Sequence, residues 1–70
     1  MTKLGEFLKR KSVNKAEISR RTGISTSRLS ELSTKKTTRL TVKELYLISL
    51  AIDVNPGIVL EEICKNLKLK

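Results

Sequence analysis

The stretch from Lys15 to Leu32, KAEISRRTGISTSRLSEL, decides how the rest of the chain is read. It resolves into two short helices joined by a tight turn at Gly23-Ile24-Ser25. Asn14 stands where an N-cap accepts orphan backbone N–H groups, and Glu17 three residues later completes a capping box. The helix this begins should run from Lys15 to Thr22. Gly23 follows at its C-terminus, where the backbone wants a positive φ that a Cβ penalises. Ser25 caps the next helix. Ile18, Thr22, Ile24, Leu29 and Leu32 are spaced to face inward, so Thr26, Ser27, Ser30 and Glu31 must face away from the core. A helix so polar on its outer side is a candidate reading surface.

Working outward, Leu4, Phe7, Leu8 and the stem of Lys11 recur at i, i+3, i+4 and i+7, which predicts a first helix over Thr2 to Lys11 with Phe7 in the core. Ser12-Val13-Asn14 ends it. Beyond Leu32, Ser33 to Leu40 reads STKKTTRL, a basic, hydroxyl-rich loop without apolar period. Thr41-Val42-Lys43-Glu44 is a second capping box, opening a fourth helix that ends near Ile52-Asp53. Asn55-Pro56 supplies a cap and a proline at the first helical position of a fifth. That helix carries Val59, Leu60, Ile63, Cys64 and Leu67 at helical spacing and frays into Lys68-Leu69-Lys70. No segment alternates with period two. The expectation is an all-α protein, five short helices around one core, in a single domain spanning residues 1–70.

A 70-residue chain buries only about 60% of the surface its unfolded form exposes, so stability should be modest. The net charge of +8 is unevenly placed. Eleven Lys/Arg face three Glu up to Leu40, whereas four Lys balance four acids from Thr41 onward. The excess sits with the Lys15–Leu32 motif and its following loop, which points to a polyanion partner ahead of a merely solubilising surface. No apolar run reaches the ~20 residues a membrane crossing needs, and the first ten residues lack the apolar core of a signal peptide. One cysteine and no histidine leave no internal disulfide and no zinc-type cluster. Cys64 is best read as a small core residue. With no nucleophile–base pair, metal site or Gly-rich phosphate loop, no enzyme activity and no cofactor are expected. A cytoplasmic setting without a membrane or small-molecule ligand fits best.

Asn14 to Leu32 resembles the helix-turn-helix of the Cro/phage-repressor (XRE-type) family, and the likeness continues through Leu45, Ile48, Ile52 and Val54-Asn55, covering roughly Phe7 to Leu60. Three positions depart from the family pattern. Ser19 stands where Ala is usual, Thr22 where Val or Ile is frequent, and Lys35 where a Gly often closes the third helix. The resemblance implies a compact five-helix bundle of the lambda-repressor-like DNA-binding type, its third helix in the major groove of double-stranded DNA. It makes Thr26 and Ser27 the foremost base readers, with Glu31 one turn further along. Arg28 is the only residue on this helix able to contact guanine O6 and N7 bidentately. Lys15, at a helix N-terminus, matches a phosphate-contacting position. Lys35, Lys36, Thr34, Thr37 and Arg39 are expected on backbone phosphates, and Arg39 alternatively in a minor groove. Ser25 is a cap first and a phosphate contact second. Against these roles, Arg28 and Glu31 are spaced to pair with each other. Arg20 and Arg21 read as solvated flank or steering charge.

On the fourth helix, Leu45, Ile48 and Ile52 take the core face, while Leu47, Leu50 and Val54 form a second apolar stripe. A helix apolar on both sides must bury both. With Ile58 and Leu67 or Leu69, this stripe is a candidate dimer or partner interface, unless a long fifth helix folds back over it. The expected function is a small transcriptional regulator, a repressor acting as a homodimer on a palindromic operator. The alternatives are an antitoxin that adds a toxin partner through Leu47 and Leu50, and an interaction module that binds no DNA.

Overall fold

The free N–H groups at each helix start are met by a short polar side chain immediately upstream, and these caps set the element boundaries. The computed structural model describes residues 1–69. Its helices are α1 (Lys3–Arg10), α2 (Lys15–Thr22), α3 (Thr26–Thr34), α4 (Val42–Ala51) and α5 (Pro56–Cys64). Thr2 accepts from the Gly5 N–H, Asn14 from those of Ala16 and Glu17, and Ser25 from that of Arg28. Thr41 accepts from the Glu44 N–H, and Asn55 from the Gly57 N–H. No strand occurs among the described residues.

Several expectations need adjustment. Thr2 and Lys11 cap α1 from outside it. The capping box at Thr41–Glu44 closes, but the one at Asn14–Glu17 forms only half, because the Glu17 carboxylate turns to the Arg20 guanidinium instead. That hydrogen bond holds the Glu17 carboxyl below its ordinary range. α5 stops at Cys64, so Leu67 lies beyond the helix and is exposed, and Leu60 is also turned to solvent. A nine-residue α5 does not extend back over the α4 stripe.

The exits differ. Gly23 leaves α2 at φ +82°, the left-handed conformation its position requires. Ser12 and Asp53 take similar angles after α1 and α4 without a glycine. α3 ends otherwise: Lys35 is extended, and the last-turn carbonyls find their donors 30 or more residues away in sequence. The Thr2 hydroxyl donates to the Leu32 carbonyl at 2.6 Å, and the Thr2 N–H donates to the Ser33 carbonyl at 3.0 Å. This explains how the chain dispenses with a glycine at position 35. The contact is close enough that a Cβ on Gly5 would stand 2.1 Å from the Ser33 oxygen.

Leu4, Leu8, Ile18, Leu29, Leu32 and Ile48 form the core, with Val13, Ile24, Leu40, Ala51, Ile52 and Ile63 packed around it. Burying each large aliphatic side chain is worth about 1.5–3 kcal/mol, so this one cluster is the main source of stability. α1 packs on α3 and α5, α2 on α3 and α4, and α4 on α5. Phe7 is buried with the Arg10 and Lys11 cations 5.5 and 5.6 Å from its ring centre. Arg10 also reaches Glu62 of α5 at 3.4 Å. α3 is therefore held on its inner side by α2 and at its end by α1, leaving its outer face free.

Candidate nucleic-acid interface

Leu29, Leu32 and Ser33 anchor α3 inward, and that fixes which side chains point out. Thr26, Ser27, Ser30 and Thr34 are exposed, and Glu31 is half-buried beside them. The hydroxyls of Thr26, Ser27 and Ser30 have no protein partner among the described residues. Ser30 lies four residues after Thr26 and three after Ser27, so it is central on this face. The sequence already placed it outward, but no motif position singled it out.

The expected phosphate contacts divide by the state of their polar atoms. Ser25 accepts the Arg28 N–H through Oγ at 3.1 Å, so its own O–H remains free to donate. Thr34 spends its O–H on the Ser30 carbonyl at 2.8 Å and would have to rotate to reach an anion. Lys15 and Thr34 line one surface groove together with Lys9, Ser12 and Ser33. Two of the N-terminal N–H groups of α2, those of Ala16 and Glu17, are already taken by Asn14. Lys35 approaches Glu31 at 3.7 Å, a loose exposed pair worth little. Lys36, Thr37 and Arg39 are exposed on the loop, and among the described residues neither Lys36 nor Arg39 has an acidic partner. Lys36 faces the α1 end of the loop, lining a groove with Thr2, Thr38 and Leu40.

Arg28 is placed differently from the expectation of a guanine reader. Its Nε donates to Glu44 Oε2 at 2.8 Å, and its Nη2 donates to Glu44 Oε1 at 3.1 Å and to the Arg39 carbonyl at 2.8 Å. The edge of the fork that guanine would require is used by α4 and the loop. The pairing with Glu31 is not formed either; Glu31 faces Lys35. The Arg28 hydrogen bonds, with those from the Thr41 N–H and hydroxyl, hold the Glu44 carboxyl down to about 2. Glu44 in turn raises the Arg28 pKa. Arg20 is occupied by Glu17, and Arg21 donates to the Ala51 carbonyl at 2.8 Å, tying α2 to the end of α4.

On the far side of α4, Leu47 and Leu50 are exposed as the second stripe requires, and Ile58 and Leu67 are exposed as well, whereas Val54 is half-buried. Two further residues belong to this face: Val42 is 85% exposed and Tyr46 53%. Val42, Tyr46 and Leu50 succeed one another every four residues, and Leu47 joins them. No helix among the described residues is long and apolar enough to cross a membrane.

Searches of curated proteins and of solved structures return no match for the chain. Comparison with known families does, and it agrees with the capped α2, the left-handed Gly23 and the outward hydroxyl face of α3. Matched over residues 3–63, the chain belongs to the family of the Cro/C1-type HTH DNA-binding domain.

Proposed function

We propose that the protein is a sequence-specific regulator of transcription, a repressor that binds a palindromic operator as a homodimer. Family membership makes DNA the partner. The observation that carries the finer reading is the exposed hydroxyl face of α3, which the exposed, basic Lys35–Arg39 loop follows directly in the chain. Thr26, Ser27 and Ser30 offer donors, acceptors and one methyl to base edges in the major groove, where Thr and Ser hydroxyls accept several partners and a methyl suits thymine. Glu31 adds an acceptor for cytosine N4–H. Lys15, Lys35, Lys36, Thr37 and Arg39, with the free Ser25 O–H, supply phosphate contacts that set register without reading sequence.

The α4 face supports the dimer. Exposed apolar residues scattered singly are ordinary, but Val42, Tyr46, Leu47 and Leu50 share one side of one short helix. A second copy apposed there would cover them and present two α3 helices to DNA. Half-sites for such a dimer lie one helical turn apart, about 34–36 Å. Selecting bound duplexes from a random pool tests both parts together. Two symmetric half-sites at that spacing support the reading, and an unrelated set of winners refutes it.

A further inference from the structure

We propose that Arg28 is a positioning residue that fixes the basic loop between α3 and α4 relative to the reading face, and that it reads no base itself. The functional half of this inference rests on the DNA-binding reading above; the structural half does not.

The loop from Lys35 to Thr41 has few other anchors. Inside it, the Thr38 N–H donates to the Lys35 carbonyl at 3.1 Å, and Leu40 packs against the core. Between those points the chain carries Lys36, Thr37 and Arg39, the groups meant for phosphate. Their backbone is tied to α3 through one side chain, because Arg28 Nη2 takes the Arg39 carbonyl. The same guanidinium grips both oxygens of Glu44, which is also the closing residue of the α4 capping box. One fork thus joins the first turn of α3, the end of the loop and the first turn of α4. Arg28 is 35% exposed at its side chain and Glu44 17%, so the pair is sheltered more than an ordinary surface pair. The planar fork matters here. A lysine would supply charge but could not hold two carboxylate oxygens and a carbonyl in one plane.

A reader and a positioner respond differently to loss of Glu44. Freed from Glu44, a base-reading Arg28 would read as well or better, whereas a positioning Arg28 would lose its purchase. Glu44→Gln is the informative partner variant, since glutamine also serves in a capping box and leaves the start of α4 intact. The full chain is compared with Arg28→Ala, Arg28→Lys, Glu44→Gln and the double variant Arg28→Ala/Glu44→Gln. Two quantities are read: amide hydrogen exchange at Thr38, and affinity for the pool-selected duplex and a panel of its single-base variants.

Expected are faster exchange at Thr38, whose N–H is the hydrogen-bonded one in the loop, in Arg28→Ala and Glu44→Gln, and a roughly tenfold affinity loss that is equal across the panel. The double variant should lose no more than the worse single one, and Arg28→Lys should fall between. The slope of log affinity against log salt should shallow by about 1 for each phosphate contact released. A changed preference at one base pair in Arg28→Ala, with Glu44→Gln unaffected, would overturn the proposal. So would unchanged loop exchange in both single variants. Should the parent chain select no duplex at all, the DNA-binding reading fails alone, and the exchange measurements still decide whether Arg28 holds the loop.

Discussion

The outer face of α3 and the outer face of α4 are both turned to solvent and both lack a partner among the described residues. Their chemistry is opposite. On α3 the exposed residues are Thr26, Ser27, Ser30 and Thr34, which water satisfies at no cost. On α4 they are Val42, Tyr46, Leu47 and Leu50, which water does not, with Lys43 the one charged residue among them. Apolar area left in water forgoes about 25 cal/mol for each Å² that burial would gain. The polar face is therefore complete without its partner and needs one only to act, while the apolar face gains stability directly from being covered. Positive charge follows the same division, since all of the excess lies before Thr41. The two faces are joined through Arg28 and Glu44, so a change in the α4 first turn should be felt on the α3 side.

The largest expected effect sharpens the α3 half of this contrast. If binding uses charge and hydroxyls, a dimer touching six to ten phosphates should lose about 10³–10⁵ in affinity between 50 and 200 mM salt. Titrations by fluorescence anisotropy check this. A flat salt response would mean that the apolar face, and not the basic half, carries the interaction.

Next in size is a change to the support beneath α3. Gly5→Ala puts a methyl against the Ser33 carbonyl and prises Thr2 from the end of α3. Overpacking of this kind costs about 1–3 kcal/mol. For a domain of this size 1 kcal/mol corresponds to about 4–8 °C, so thermal melts followed by circular dichroism should show a drop of several degrees or more.

At the junction of the two faces, Thr41→Ala removes the α4 cap and should cost about 1 kcal/mol by chemical denaturation. Acid tests the same junction. The Glu44 carboxyl lies near 2 in the folded chain against an ordinary 4.5. Its contribution is thus fully present above about pH 4.5 and is lost as pH falls toward 2, because the unfolded chain takes up the proton first. The melting temperature should decline through that window, and less steeply in Glu44→Gln.

The smallest effect on the isolated fold is expected on α4. Leu50→Glu places a charge on a residue that is 51% exposed, so monomer stability should change by no more than about 0.5 kcal/mol. Self-association, followed by sedimentation, should nevertheless be abolished. A protein that sediments as a monomer at high micromolar concentration before any substitution would break the comparison, leaving the α4 face without the assigned partner.

Much of this architecture was legible because helix signals are local. Asn14, Ser25, Thr41 and Asn55 each cap a helix that begins at the next residue, and Gly23 ends one that finishes just before it. These are hydrogen bonds across two to four positions, written into neighbouring letters. Periodicity likewise placed Ile18, Leu29, Leu32 and Ile48 inside. It failed for Leu60 and Leu67, because spacing names a stripe without naming where the helix stops or which neighbour covers it. Val42 and Tyr46 escaped notice for a related reason, since a residue in the first turn of an amphipathic helix reads as inward until the packing shows otherwise.

From the sequence alone came the five helices, the starts of all but α1, the core and the outward hydroxyl face of α3, all consequences of short-range hydrogen bonding and apolar period. Only the tertiary structure shows which protein groups Arg28 meets. Its carboxylate partner stands 16 residues further along the chain and its carbonyl partner 11, whereas the pairing that spacing offered was with Glu31, three residues away. It also decided how α3 ends without a glycine, because Thr2 reaches the Leu32 carbonyl across 30 residues. A charged fork or an orphan carbonyl states in sequence that it must be satisfied. Which group satisfies it depends on how the helices lie against one another, and that is fixed by packing.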